Sequence, residues 1–211
     1  MSAPGVTVVD YGMGNLRSVV RALTAAGGAP KVTSDPAQVR RAERLVLPGQ
    51  GAFRQCMDQL RSSGMDDALR DYWGRQRPYL GICLGLQVLF DSSDEHGPVA
   101  GFGVVPGRVT RFDRTMKDDE GRRLKVPHMG WNTVQWSRAN PLSEDANRVD
   151  WFYFVHSYYV TCDDPSDVIG TSHHGESFTV AVARDNSLGV QFHPEKSHAE
   201  GLSVLRRFFT L

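Results

Sequence analysis

A cysteine lies between two glycines in the run Pro78-Tyr79-Leu80-Gly81-Ile82-Cys83-Leu84-Gly85-Leu86-Gln87. An apolar strand pattern passes there straight into an apolar helix pattern. This is the layout of a nucleophile elbow. It commits the chain to strand–turn–helix units and places the cysteine at the carboxyl end of a strand. The tight turn strains the backbone at Cys83. Glycine is required on both sides, because a side chain there would collide with the neighbouring strand or helix. The following helix directs its N-terminus at the sulfur, and that positive dipole end favours thiolate. A buried cysteine packed between two glycines is the alternative reading of the same residues.

A second stretch, Gly189-Val190-Gln191-Phe192-His193-Pro194-Glu195-Lys196-Ser197, supplies partners for such a thiol. Pro194 opposes a helix, so an extended segment is expected. Residues i and i+2 of an extended chain share a side, which turns His193 and Glu195 toward one site. A carboxylate on one imidazole nitrogen leaves the other free to serve a nucleophile. A lone His-x-Glu is usually a surface pair; its presence beside an elbow cysteine in one α/β chain is what gives it weight.

The three cysteines are odd in number and lack paired spacing, which points to a reducing compartment and no disulfide framework. Cys56 sits at core spacing between Phe53 and Leu60, so it reads as a packing thiol. Cys162 is followed by Asp163 and Asp164, whose charge opposes thiolate formation. Lys plus Arg and Asp plus Glu are 24 each, for a net charge of zero, so a nucleic-acid partner is not expected. The N-terminus shows no charged, apolar leader, and no apolar run reaches the roughly 20 residues of a membrane helix. A cytoplasmic location follows as an expectation. The seven histidines show no metal spacing, and the adjacent His173 and His174 would point to opposite faces of a strand.

Strand and helix patterns alternate in the first half. Residues 6–9, 45–47 and 79–82 read as strands, and residues 16–23, 52–60 and 84–90 as helices, with Asn15 capping the first. From Gly101 onward, short alternating runs at 104–105, 109–112, 133–136, 151–154 and 179–182 read as hairpins. Residues 116–123 read as a charged, flexible loop, and residues 199–209 as a final helix with Leu202, Leu205 and Phe209 inward. The expected fold is α/β: a mostly parallel, doubly wound sheet flanked by helices, with a smaller mixed or antiparallel extension. One domain spanning 1–211 is the natural count. Gly12-x-Gly14 after a strand invites a dinucleotide reading, which fails because Arg17 stands at the third glycine position.

Gly-Ile-Cys-Leu-Gly-Leu-Gln at 81–87, taken with Phe192-His193-Pro194-Glu195, resembles the class I, triad-type glutamine amidotransferases. Three further segments narrow the resemblance: Asp10-Tyr11-Gly12-Met13-Gly14-Asn15-Leu16, Pro127-His128-Met129-Gly130-Trp131-Asn132, and Lys196-Ser197. With these the chain is similar to the glutaminase subunits of imidazole glycerol phosphate synthases, which act in histidine biosynthesis. The similarity runs from the first strand to the last helix and leaves no segment for a synthase domain.

The resemblance implies glutamine as substrate, a Cys83–His193–Glu195 triad and no cofactor or metal. At the elbow, the Leu84 N–H is expected as one oxyanion donor. The resemblance puts the second on the strand carrying Gly49 and Gln50, where the family often has Val in place of Gln50. Gln87, one helical turn from Cys83, shares its side of the helix. The resemblance gives substrate contacts to Gly51, Gln87, Glu95, Ser157 and Tyr158. It assigns a heterodimer with a (β/α)8 cyclase subunit, contacted by Asn15, Met129, Trp131, Tyr153 and Lys196. Ordinary core aromatics are the alternative reading of Trp131 and Tyr153. Two other classes remain open from the residues: a stand-alone Cys hydrolase of the dienelactone-hydrolase kind, and a non-catalytic binding module. Within the family, anthranilate and guanylate partners are alternatives.

Overall fold

The computed structural model describes residues 3–118 and 120–211. Thirteen strands form among them: β1 Gly5–Val9, β2 Ala29–Thr33, β3 Leu45–Gly49, β4 Tyr79–Cys83, β5 Phe90–Ser93, β6 Val99–Ala100, β7 Val105–Arg111, β8 His128–Trp136, β9 Val149–His156, β10 Tyr158–Cys162, β11 Val168–His173, β12 Ser177–Arg184 and β13 Ser187–Val190. The helices are α1 Leu16–Ala25, α2 Pro36–Arg41, α3 Phe53–Ser62, α4 Met65–Trp73, α5 Leu84–Gln87 and α6 His198–Phe208.

One sheet contains all the strands, in the order β2-β1-β3-β4-β13-β12-β10-β7-β5-β6, with β11, β8 and β9 branching from β12. The β2-β1-β3-β4-β13 half is parallel. Central strands β3 and β4 are apolar and buried throughout because both faces are covered, whereas edge strand β2 is largely exposed. Side-chain alternation divides the residues of this half. Val6, Val8, Val46, Leu80 and Ile82 pack with α1 and α6, whereas Val9, Leu45, Leu47 and Tyr79 pack with α2, α3 and α4. The doubly wound half therefore matches the sequence pattern. The other half, antiparallel except for the parallel β5–β7 pair, joins at β12–β13.

Several details depart from the sequence reading. The helix expected over 84–90 stops at Gln87, and Phe90 begins β5. The carbonyl of Val88 is taken by the Phe102 N–H and that of Leu89 by the N–H groups of Val104 and Val105. Gly101 permits this approach, since a Cβ there would lie 2.2 Å from the Phe90 carbonyl oxygen. Those carbonyls are unavailable to a continuing helix. On α6 the buried face is Gly201, Val204, Leu205 and Phe208, with Leu202 and Phe209 only flanking the core. Gly201 sets that rotation, because a Cβ there would meet the Pro194 carbonyl at 1.9 Å. The segment expected as a flexible loop over 116–123 is tied down. Lys117 bridges Arg123, and Asp118 pairs with Arg122 at 2.7 Å; Asp119 lies outside the described residues.

Candidate active site

The Cys83 backbone has φ 54° and ψ −105°, a left-handed value for a non-glycine residue. Such strain persists only where the surroundings enforce it. Here they do: a Cβ on Gly81 would lie 2.2 Å from the Gly85 carbonyl, and one on Gly85 would lie 1.9 Å from the Leu47 carbonyl. Cys83 pairs in register with Gly49 of β3, while Ile82 pairs with Val190 of β13. The sulfur thus sits at the carboxyl ends of the central strands, where open α/β sheets bind ligands. Because α5 is a single turn, it supplies much less macrodipole than a long elbow helix would.

His193 lines the same cavity as Cys83. Its segment is not extended as expected: Pro194 occupies the first position of a 3-10 turn, Pro194–Lys196. Proline is accommodated there because its missing N–H has no helical partner to lose. His193 itself keeps an extended backbone, and its Nδ1 lies 2.8 Å from Glu195 Oε1. Ser197 fastens the turn. Its Oγ donates to the His193 carbonyl at 2.6 Å and accepts the Tyr153 N–H at 3.0 Å, while the His193 N–H donates to the Tyr153 carbonyl at 2.9 Å. Nε2 of His193 is buried without a hydrogen-bond partner. Burial pulls this imidazole down, but the nearby Cys83 and the Glu195 carboxylate outweigh it and lift His193 to about 9. Burial pushes Cys56 to about 12 despite a bond with Tyr11, and burial with Asp167, Asp163 and Asp164 pushes Cys162 to about 12.

Cys83 and His193 open on a cavity of about 600 Å³ that is also lined by Gln50, Gly51, Leu84, Gln87, Glu95, Ser157, Tyr158 and Lys196. Gly49 does not line it; a Cβ there would meet Leu84 Cβ and the Tyr11 hydroxyl at 2.7 Å, so it serves close packing against the elbow. Glu95 Oε2 accepts the Phe53 N–H at 2.6 Å, capping α3, whose N-cap Ala52 offers no side-chain bond. One oxygen of Glu95 is therefore committed to the fold. Arg111 and Arg114, which sequence reasoning passed over, add positive charge to the wall.

Gln191 was also overlooked. It is fully buried, and its Nε2 lies 3.5 Å from Cys83 Sγ. A glutamine in an apolar run, two residues before the histidine and so on the same side of an extended chain, was the available signal.

Of the five residues assigned to an interface, Lys196 lines the cavity and the other four do not. Asn15 caps α1, accepting the Ser18 N–H. Met129 and Trp131 are exposed on the outer face of β8, where Trp131 pairs with Tyr153 of β9 and stacks on His198 at 5.2 Å. Lys196 Nζ lies 5.6 Å from the centre of the Tyr153 ring, at the cavity wall. Trp131 is thus no core aromatic. Val149 and Trp151, not singled out from the sequence, extend the same exposed face. Among the described residues, no group of three or more His, Cys, Asp or Glu side chains is arranged to hold a metal, and no helix is long and apolar enough to cross a membrane.

The family model for glutamine amidotransferase class-I matches residues 7–211. The chain belongs to the class-I glutamine amidotransferase family. Among curated relatives of this amidotransferase, imidazole glycerol phosphate synthase subunit HisH of Nitrosospira multiformis is 53% identical over 206 residues, covering 96% of each chain. The protein of that name from Syntrophotalea carbinolica is 48% identical over 203 residues, covering 96% of this chain and 98% of its own. A crystal structure described as a glutamine amidotransferase superposes with a TM-score of 0.73 at 20% identity, covering 98% of both chains. At that identity it speaks for the fold of this amidotransferase alone.

Proposed function

We propose that this amidotransferase is the glutaminase subunit of an imidazole glycerol phosphate synthase. Its 1–211 chain would act as one unit, and Cys83, His193 and Glu195 would form its catalytic triad. The observation that carries the triad is the meeting, on one cavity, of a thiol in a strained elbow and an imidazole held by a carboxylate at 2.8 Å. The raised His193 fits an imidazolium beside a thiolate, which is the attacking pair.

The Cys83 thiolate attacks the side-chain carboxamide carbon of glutamine. Backbone N–H groups of Leu84 and of the Gly49–Gln50 segment receive the developing oxyanion. His193 gives its proton to the departing nitrogen as the C–N bond breaks, which releases ammonia and leaves a glutamyl thioester. Water then loses a proton to His193 and attacks that thioester. Cleavage of the C–S bond restores the thiolate and frees glutamate. Gly51, Gln87, Glu95, Ser157 and Tyr158 bind the amino-acid end of the substrate. Neither metal nor cofactor takes part.

Ammonia set free in water is protonated and diluted, so a nucleophile destined for another site needs a sealed path. A (β/α)8 cyclase subunit docks over Asn15, Met129, Trp131, Tyr153 and Lys196 and incorporates the ammonia. The products are imidazole glycerol phosphate and aminoimidazole carboxamide ribotide, made in the cytoplasm. The exposed aromatic and methionine surface suits such a contact. The test is glutamate release by the purified chain, alone and with a cyclase subunit and its nucleotide ligand. Low basal turnover that rises strongly in the complex is expected. Full activity alone, unchanged by the cyclase, would favour a stand-alone glutaminase.

A further inference from the structure

At the cavity wall, the buried His156 and His128 and the half-buried Asn132 form one hydrogen-bonded chain whose donors follow from its end. It ends on the Tyr158 carbonyl, which can only accept. His156 Nδ1, 2.8 Å away, therefore carries the proton, and its Nε2 is bare. His128 Nδ1, 3.0 Å from that Nε2, must then donate. His128 Nε2 is left to accept from Asn132 Nδ2 at 3.0 Å. The Asn132 amide is fixed in that orientation, since its Oδ1 accepts the Thr133 N–H at 2.8 Å and its Nδ2 also reaches the His173 carbonyl at 2.9 Å. Both imidazoles must be neutral for this arrangement. Burial, assisted by His174, holds His128 down to about 4, and burial with His128 holds His156 down to about 3.

The Tyr158 carbonyl also accepts Gln87 Nε2 at 3.1 Å, and that same amide nitrogen donates to Gln191 Oε1 at 3.1 Å. Gln191 is left with its N–H groups toward Cys83 Sγ, at 3.5 Å. Flipping either glutamine would set two like groups against each other. We propose that Gln191 is a positioning residue that donates to the Cys83 thiolate, and that its amide is aimed by Gln87, which donates to the Tyr158 carbonyl that the chain from Asn132 through His128 and His156 holds in place. The proposal rests on the reading of Cys83 as nucleophile. It adds that β8, whose outer face carries Met129 and Trp131, orients the amide at the sulfur from its inner face. Two donors converge on the Tyr158 carbonyl, so losing the His156 side frees the carbonyl that anchors Gln87.

The test reads the thiol itself: alkylation of Cys83 by iodoacetamide across pH in the full chain, followed at the Cys83 peptide by mass spectrometry. Gln191→Met keeps the volume and removes the donor. It should slow alkylation at neutral pH about tenfold and move the pH profile up by about one unit, the weight of one hydrogen bond to a charged acceptor. His128→Leu should move the profile the same way by a smaller amount. His128→Asn, which replaces the Nδ1 donor with an amide N–H, should recover most of the loss, as filling the space alone would not. Asn132→Ala, at a half-buried position, tests the same chain should His128→Leu fail to fold. An unmoved profile in Gln191→Met, or in folded His128→Leu or Asn132→Ala, overturns the proposal. A wild-type Cys83 no more reactive than Cys162 would remove the nucleophile reading itself, and the chain's role with it.

Discussion

The elbow and the β8–β9 hairpin both reach one cavity, under opposite packing rules. Tyr79 to Gln87 is buried at every position, on both faces of the sheet. The hairpin is buried on alternate residues only, with His128, Val134, Trp136, Phe152, Phe154 and His156 inward and Met129, Trp131, Val149 and Trp151 outward. The glycines mark the difference. Gly81 and Gly85 stand where backbone meets backbone, whereas a Cβ on Gly130 meets nothing within 4 Å and only its φ of 126° is special. A surface that must hold a strained nucleophile has no slack. A strand that shows one face to the outside keeps its freedom there. On the proposed function, chemistry and association fall to different halves of one sheet.

The largest expected effect lies at the elbow. Cys83→Ala should lower glutamate release by on the order of 10³-fold or more, since the attacking atom is gone. Cys56→Ala and Cys162→Ala should stay within a few-fold of the parent. Substantial turnover by Cys83→Ala would break the assignment of chemistry to this half. His193→Ala should come next, and Glu195→Gln should lose less, plausibly tenfold, about 1.4 kcal/mol of barrier. Equal activity of Glu195→Gln and the parent would take Glu195 out of the site.

Stability sharpens the same contrast. Gly85→Ala forces a Cβ onto the Leu47 carbonyl and should cost about 3 kcal/mol or more. Gly130→Ala suffers only its backbone conformation, about 1 kcal/mol. Denaturant midpoints compare the two directly. A Gly130→Ala variant weaker than Gly85→Ala would contradict the packing argument.

The contrast also governs what could be read from the amino acids. The elbow was legible because glycine, cysteine and an apolar run specify it locally. Edge strand β2 was not, since Pro30 and three exposed residues give Ala29–Thr33 no alternation. The end of α5 depended on residues 102–105 arriving to take its carbonyls, which no local pattern announces. His193 and Glu195 were paired for the wrong local reason: the 3-10 turn, fastened by Ser197 to Tyr153 across a long sequence separation, brings them together. The approach of Gln191 to Cys83 and the pairing of the two buried imidazoles are products of tertiary packing, visible only once β8, β9 and β13 share a sheet.

The pH profile offers a finer cut through the active half. His193 is raised above its ordinary 6.5 to about 9, so its proton, and the stability gained by holding it, is fully present below pH 6.5 and lost as pH rises through about 9. Glutaminase activity should fall along an alkaline limb near pH 9. Glu195→Gln removes one of the two groups that raise the imidazole, so the limb should move to lower pH. A limb unmoved in that variant would mean that Cys83 alone holds the charge.

The smallest basal effect is expected on the outward face of the hairpin, and it tests the division most directly. Trp131 and Trp151 are 45% and 56% exposed, and neither lines the cavity. Truncating either removes surface that the isolated fold leaves in water, so basal glutamate release and the denaturant midpoint should stay near the parent values. If this face receives the cyclase, Trp131→Ala should blunt the rise in turnover when the cyclase and its nucleotide ligand are added, because buried aromatic anchors carry much of an interface's energy. Trp151→Ala, farther along β9 from the cavity, should weaken association with less effect on turnover in the saturated complex. Titrating the cyclase separates the two: a shifted midpoint reports contact, and a lowered plateau reports transmission to the elbow. A Trp131→Ala variant with parental midpoint and plateau would move the partner off this face. One with lowered basal turnover would show that the hairpin's outer surface already belongs to the chemistry.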